Sequence, residues 1–223
     1  MIDRLVFLER KSGLSVTAFQ RHWRDVHGPI AAEIPGLRSY VQCDLAPDLQ
    51  ATGNRLGSLT VDGIAFLSFD DLPAIKAAFT PAVIAALVDD EKAFVGGLDL
   101  LTTVPRRLLP EGNPGQHRLI TLLQRREGVD AATFHDRWWM GGEDLAASAP
   151  RGTGWTRRLV IDHGLGPVPW GAPTVHGIED LSCADPSNLE ALRTGDFSQI
   201  LVQSRAAVAE VVATWEVRAY RVV

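Results

Sequence analysis

The chain has 223 residues, room for one large domain or two of about 100–110 residues each. Hydrophobic residues make up 46%, enough for a packed core, which argues against wholesale disorder. A formal net charge of -5 and an isoelectric point near 5.7 argue against a nucleic-acid backbone as partner, and the Arg106–Arg107, Arg125–Arg126 and Arg157–Arg158 pairs read as solvated surface.

The run Leu5-Val-Phe-Leu8 suits a strand covered on both faces. Lys11-Ser-Gly13 makes a turn, and Ser15 caps a helix. On that helix Phe19, Trp23, Val26 and Ile30 form one apolar stripe, and Pro29 discourages continuation through Gly28. A second strand is expected over Leu37–Leu45, a loop over 46–57 and a third strand over Thr60–Phe69. Asp70, Asp71 and Pro73 open a second helix, irregular near Pro81. Gly96–Gly97 closes it before a fourth strand over Leu98–Leu109. The order β-α-β-β-α-β is ferredoxin-like. Pro110-Glu-Gly-Asn-Pro-Gly115 then marks a linker.

After the linker the pattern restarts. Leu5-Val-Phe-Leu-Glu-Arg10 is echoed by Ile120-Thr-Leu-Leu-Gln-Arg125, Gly13 by Gly128, Ser15 by Asp130, and Phe19 and Trp23 by Phe134 and Trp138. These pairs share one spacing of 115 positions, and Tyr40 falls opposite Trp155. One residue off that spacing, Val61-Asp-Gly-Ile64 matches Val175-His-Gly-Ile178. A match that keeps its offset across separate elements is the mark of an internal repeat. The expected organisation is therefore a ferredoxin-like unit over 1–110, a linker over 111–116 and a degenerate second unit over 117–223. Each sheet has one face covered by its own helices, so the second unit covers the other face of the first within one chain. The expected fold class is α+β, a monomer with a pseudo-twofold barrel, open to homodimer formation. Side chains between the two sheets would line a cavity for a small hydrophobic molecule.

The two cysteines, Cys43 and Cys183, have no metal-ligand spacing and read as buried thiols. The N-terminus lacks a leader pattern and no stretch has membrane-spanning length, so a cytoplasmic location without a membrane partner is the default expectation. His163 and His176 have no third ligand at a recognisable spacing, so no metal is expected. The Asp162–Thr174 stretch, with His163 and Trp170, reads as a Pro/Gly-rich surface loop.

The segment Phe19-Gln-Arg-His22-Trp23-Arg-Asp-Val-His27-Gly-Pro29 carries the candidate site. Helical spacing puts His27 at one margin of the apolar stripe and His22 at the other. His27 falls in the expected last turn, where the helix dipole favours its protonated form and burial opposes it. An imidazole tuned by opposing influences suits proton transfer near neutral pH, and one that fixes the helix end on a backbone carbonyl is the alternative.

The pattern Phe-x-x-x-Trp-x-x-x-His-x-Pro after a strand and a turn, followed by Pro35-Gly-Leu-Arg-Ser-Tyr40-Val-Gln42, resembles the EthD family of dimeric α/β-barrel proteins. The resemblance covers residues 1–109 and is degenerate beyond 117. It implies a barrel with a cavity in each half, His27 as acid/base, and Trp23 and Tyr40 shaping the pocket. Members include proteins linked to ether degradation and fungal polyketide-pathway enzymes that dehydrate or decarboxylate. The family often has Tyr where this chain has His22. In the second half Gly142 stands where His27 would be, which implies a scaffold role there.

The leading expectation is a cofactor-free lyase or isomerase for a small hydrophobic carbonyl or polyketide-like compound. His27 moves the proton, Arg38 or Tyr40 stabilises the oxyanion, and Trp23, His22 and Phe19 contact substrate. No Rossmann, P-loop or nucleophile-elbow motif suggests other chemistry. A non-catalytic binding module is the second reading and a haem-binding barrel the third.

Overall fold

Residues 1–45, 55–110, 117–164 and 174–223 are described in the computed structural model of the chain. The first half runs β1 (Ile2–Arg10), α1 (Val16–His22), a π-helical turn (Trp23–His27), α2 (Gly28–Ala32) and β2 (Ser39–Leu45). A small hairpin, β3 (Arg55–Leu56) and β4 (Leu59–Thr60), precedes β5 (Gly63–Phe69), α3 (Leu72–Ala78), α4 (Pro81–Phe94) and β6 (Val95–Leu109). The second half repeats the order with β7 (His117–Arg125), α5 (Ala131–Phe134), a second π-helical turn (His135–Trp139) and α6 (Glu143–Ala146). It continues with β8 (Gly154–Gly164), β9 (Gly177–Cys183), α7 (Pro186–Thr194), α8 (Asp196–Arg205) and β10 (Ala209–Arg221).

The strands close into one barrel in the order β1-β5-β2-β10-β7-β9-β8-β6, all pairs antiparallel. The halves meet edge to edge, β2 on β10 (Cys43 opposite Ala219) and β6 on β8 (Val104 opposite Leu159). Closure leaves no free sheet edge among these eight strands. The fold is thus two ferredoxin-like halves in an intrachain α/β barrel, as the repeat implied.

Strand alternation sorts the core into layers. Leu5, Phe7, Cys43, Ile64, Phe66, Ile120, Leu122, Ile178, Trp215 and Val217 form one cluster with no helical member, so it faces the barrel interior. Leu8, Tyr40, Ala65, Leu67 and Phe69 point the other way and pack on Phe19, Trp23, Ile75 and Leu87 of the first-half helices. In the second half Leu119, Trp155 and Leu181 pack on Leu189, Leu192, Phe197 and Leu201, and Leu123 on Phe134 and Trp138. Interior and helix layer are therefore distinct chemical spaces. The interior also carries charge: Arg158 bonds Asp3 (Nε–Oδ2, 3.2 Å) and Asp180 (Nη1–Oδ2, 2.7 Å), and Arg118 Nη1 bonds the same Asp180 oxygen at 2.8 Å.

Four expectations change. Arg157–Arg158, expected as solvated surface, is buried, because both side chains find carboxylate partners within the fold. Asp162–Gly164, with His163, end strand β8 instead of opening a loop. The third strand begins at Gly63, because Leu59–Thr60 turns into the small hairpin. The helix does not stop before Pro29. The proline sits in the first turn of α2, where the missing N–H costs little. Most of the 46–57 loop, the 111–116 linker and Trp170 lie outside the described residues.

Candidate functional site

The Ser15 hydroxyl accepts from the Ala18 N–H at 3.1 Å and starts α1. From there Phe19, Trp23, His27 and Ala31 are buried at a spacing of four, with Gly28 beside His27. A regular α-helix would drift off that line. The π-helical turn over Trp23–His27 absorbs the drift: the Gly28 N–H reaches back five residues to the Trp23 carbonyl. His27 consequently points inward and is 7% exposed, while Val26, expected on the apolar stripe, is 44% exposed.

The widened turn gives the Trp23 carbonyl a second donor. Gln42 Nε2 of β2 bonds it at 2.8 Å and the Tyr40 hydroxyl oxygen at 3.0 Å. Trp23 Nε1 donates to the same Tyr40 oxygen at 3.1 Å. Burial pushes the Tyr40 phenol up to about 12, against the pull of those two donors. Tyr40 is therefore a neutral, enclosed anchor for the turn. Gln42→Leu should remove about 1–3 kcal/mol, since it strips donors from two buried acceptors. Urea unfolding checks this, and an unchanged midpoint would contradict the anchoring role.

His27 meets α4. Its Nδ1 lies 2.9 Å from Asp90 Oδ2, and His22 Nε2 lies 2.9 Å from Asp90 Oδ1. One carboxylate thus bridges two imidazoles. Both rings pack on Phe94, His22 stacked at 4.8 Å and His27 tilted at 5.1 Å between centroids. A carboxylate accepts and does not donate, so each facing ring nitrogen carries its proton. That fixes His27 as the Nδ1–H tautomer and makes Nε2 its basic nitrogen. Burial holds the His27 pKa below the ordinary histidine value, the Asp90 hydrogen bond and charge pull it upward, and the neighbouring His22 pushes it down. The neutral imidazole therefore prevails near pH 7. The opposing influence is Asp90, not a helix end, because the chain continues helically through α2.

A groove of about 420 Å³ opens beside His22, lined by Leu14, Ala18, Arg21, His22, Asp25, Val26 and Ala93, with His27 behind His22 and outside that lining. Phe19, Trp23 and Tyr40 lie behind the histidines and are at most 1% exposed, so they support the pair and are closed to solvent. Arg38 does not join the cluster. Its guanidinium holds Asp70 at the surface, with Nη2 2.5 Å from Oδ2, and its side chain is 57% exposed. Asp90, Gln42 and Phe94 were missed in the sequence. Asp90 stands in the Asp89-Asp90-Glu91-Lys92 run, which reads as an ordinary solvated helix face.

The second half reuses the scaffold with different chemistry. Its π-helical turn exposes the Trp138 carbonyl, which accepts from Arg157 Nη1, as does the Gly141 carbonyl at 2.8 Å. The Arg157 guanidinium lies over Trp138 and Trp155 and pairs with Glu179, which Arg205 also bonds. Gly142 leaves space for that guanidinium: a Cβ there would lie 2.6 Å from Arg157 Nη1. A buried cation thus occupies the position of Gln42. Among the described residues no group of three or more His, Cys, Asp or Glu side chains is arranged to hold a metal ion.

Comparison with known proteins agrees with this picture at the level of fold. An anthrone oxidase-like protein superposes with a TM-score of 0.63 at 10% identity, over 99% of this chain and 93% of the other. A candidate monooxygenase from Fusobacterium nucleatum subsp. nucleatum gives 0.60 at 8% identity, over 100% and 92%. A mutant chlorite dismutase from Candidatus Nitrospira defluvii gives 0.54 at 8% identity, over 97% and 90%. No curated protein matches the sequence. Among the described residues no single helix is long and apolar enough to cross a membrane. Residues 11–97, which carry Phe19, Trp23, His27 and Asp90, match the family model described as EthD domain.

Proposed function

We propose that the first half is a cofactor-free acid–base site, with His27 as the proton-transfer group, acting on a small hydrophobic carbonyl compound held in the groove beside His22. The observation that carries this is the Asp90 carboxylate shared between His22 and His27. His27 Nε2 takes the proton next to the carbonyl, and the electron pair moves onto the carbonyl oxygen as an enolate. Returning the proton to another carbon gives isomerisation. Delivering it to a β-hydroxyl, which leaves as water, gives dehydration. Arg21, the cation lining the groove, faces the developing oxyanion in place of Arg38 and Tyr40. The second half, with Gly142 and Arg157 at the matching places, is scaffold. The haem reading is not adopted, since two imidazoles on one carboxylate and one phenyl ring are arranged for proton exchange.

The test needs no knowledge of the product. Cyclic ketones and β-hydroxy ketones are incubated with the protein in D2O, and deuterium entering beside the carbonyl is followed by NMR. His27→Ala should slow exchange by about 100-fold or more with an unchanged circular dichroism spectrum. Exchange at the native rate in the folded variant removes His27 from the mechanism. The depressed His27 pKa also sets the pH dependence. Activity should hold through pH 6.5 and fall only at more acidic pH. The same group contributes stability that is complete above the unfolded value and shrinks as pH drops, because the unfolded chain takes the proton first.

A further inference from the structure

We propose that the second half carries a site for a small monocarboxylate, in a polar pocket where Arg125 lacks the acidic partner that its counterpart has in the first half. The internal repeat makes the comparison direct. In the first half Arg10 Nη1 donates to the Leu14 carbonyl, and Asp62 accepts from the Arg10 main-chain N–H at 2.9 Å and from its Nε at 3.1 Å. In the second half Arg125 Nη1 donates to the Val129 carbonyl in the same way. His176 stands where Asp62 would be, and its Nδ1 accepts from the Arg125 main-chain N–H at 3.1 Å. A neutral imidazole has one accepting nitrogen where a carboxylate has two oxygens, so the second bond is lost. Arg125 Nε is buried and has no hydrogen bond among the described residues. Nor does any carboxylate there pair with that guanidinium. Asp130 feels its charge, but the two Asp130 oxygens take the Thr133 N–H at 2.7 Å and the Thr133 hydroxyl at 3.1 Å.

The pocket beside it has a volume of about 450 Å³, and its lining includes Arg125, Arg126, Glu127, Thr174 and His176. Arg126 adds a second cation. It donates from Nη1 to the Ala206 carbonyl at 2.6 Å, and its Nε lies 3.4 Å from Glu210 Oε1 in a largely solvated pair. Such a pair holds its charges weakly. Glu127 is the one acid in the lining, and it opposes a dianion more strongly than a monoanion. The planar, two-oxygen group that Asp62 offers Arg10 is also the shape that fits a guanidinium edge. A free carboxylate is therefore the ligand chemistry that this corner of the fold accepts.

The probes are benzoate and benzamide, equal in shape and different in charge. Calorimetry on the whole protein should show benzoate binding about 10-fold or more tighter than benzamide, and weakening as salt is raised. Burial, then the charges of Arg125 and His163, hold the His176 pKa below the ordinary histidine value, against a hydrogen bond to the Thr174 main chain. An anion beside Arg125 should move it upward. NMR titration should show that rise at His176 and none at His27, which separates this site from the groove. His176→Asp restores the first-half arrangement and brings the carboxylate in on the chain itself, so the folded variant should lose benzoate binding. The proposal is overturned by absence of benzoate binding to the native protein, by equal affinity for benzoate and benzamide, or by native benzoate binding in His176→Asp. Tighter binding of inorganic phosphate than of benzoate would overturn it too.

Discussion

Asp180→Ala is expected to lower folding stability by about 3–5 kcal/mol, the cost of leaving buried charges without their partner. The side chain holds Arg158 at 2.7 Å and Arg118 at 2.8 Å, and all three side chains are less than a tenth exposed. Removing it takes a carboxylate partner from two buried guanidiniums inside a closed barrel. Arg158 keeps Asp3 at 3.2 Å, so the loss falls short of two independent pairs. The matched control is Asp70→Ala, which breaks the Arg38 pair at the surface, where both side chains are more than half exposed. Solvent already screens that pair, and its loss should leave the unfolding midpoint close to the native one. Urea unfolding of both variants decides the matter. Equal midpoints would mean that the interior charges are solvated after all.

The same residues show how far the sequence could be read. Strands, repeat and layer order follow from local patterns: short apolar runs, turn glycines, and Phe and Trp recurring at one offset. Position 27 was reached from helical spacing, and the family resemblance points at it too, yet its surroundings were not. Ideal α-helical phase put Val26 inside and His27 at a margin, whereas the π-helical turn reverses them. The reason lies partly outside the helix, in the Gln42 amide that satisfies the freed carbonyl from a strand 19 residues away. Asp90 is 63 residues from His27, and no pattern local to either announces the pairing. Arg38 failed for the complementary reason. It stands close to Tyr40 in sequence, but Asp70 offers it a bidentate partner at the surface. The interior charges were likewise invisible: Arg158 read as solvated surface in the Arg157–Arg158 pair, and no local pattern marks Arg118 or Asp180 before the barrel closes around them.

Gly63→Ala and Gly177→Ala should each cost about 1–3 kcal/mol, the price of overpacking a closed core. These glycines lie on β5 and β9, under Trp23, which opens the first π-helical turn, and Trp138, which lies within the second. A Cβ at Gly63 would stand 2.5 Å from Trp23 Cζ3, and one at Gly177 2.4 Å from Trp138 Cη2. Both indoles are 1% exposed and have no free side toward which to retreat. The expected costs are therefore similar, although the chemistry beyond each tryptophan differs. Trp23→Phe removes the benzo edge that the new methyl meets. It should be less harmful in the Gly63→Ala background than in the native chain, a coupling readable by a double-mutant cycle. The functional consequences should diverge. Trp23 begins the turn that ends at His27, so a displaced indole moves that imidazole relative to Asp90. NMR titration of the histidines should then show a changed His27 pKa in Gly63→Ala and a native one in Gly177→Ala. A native His27 titration in both variants would mean that the turn is held by Gln42 and Tyr40 regardless of where the indole lies.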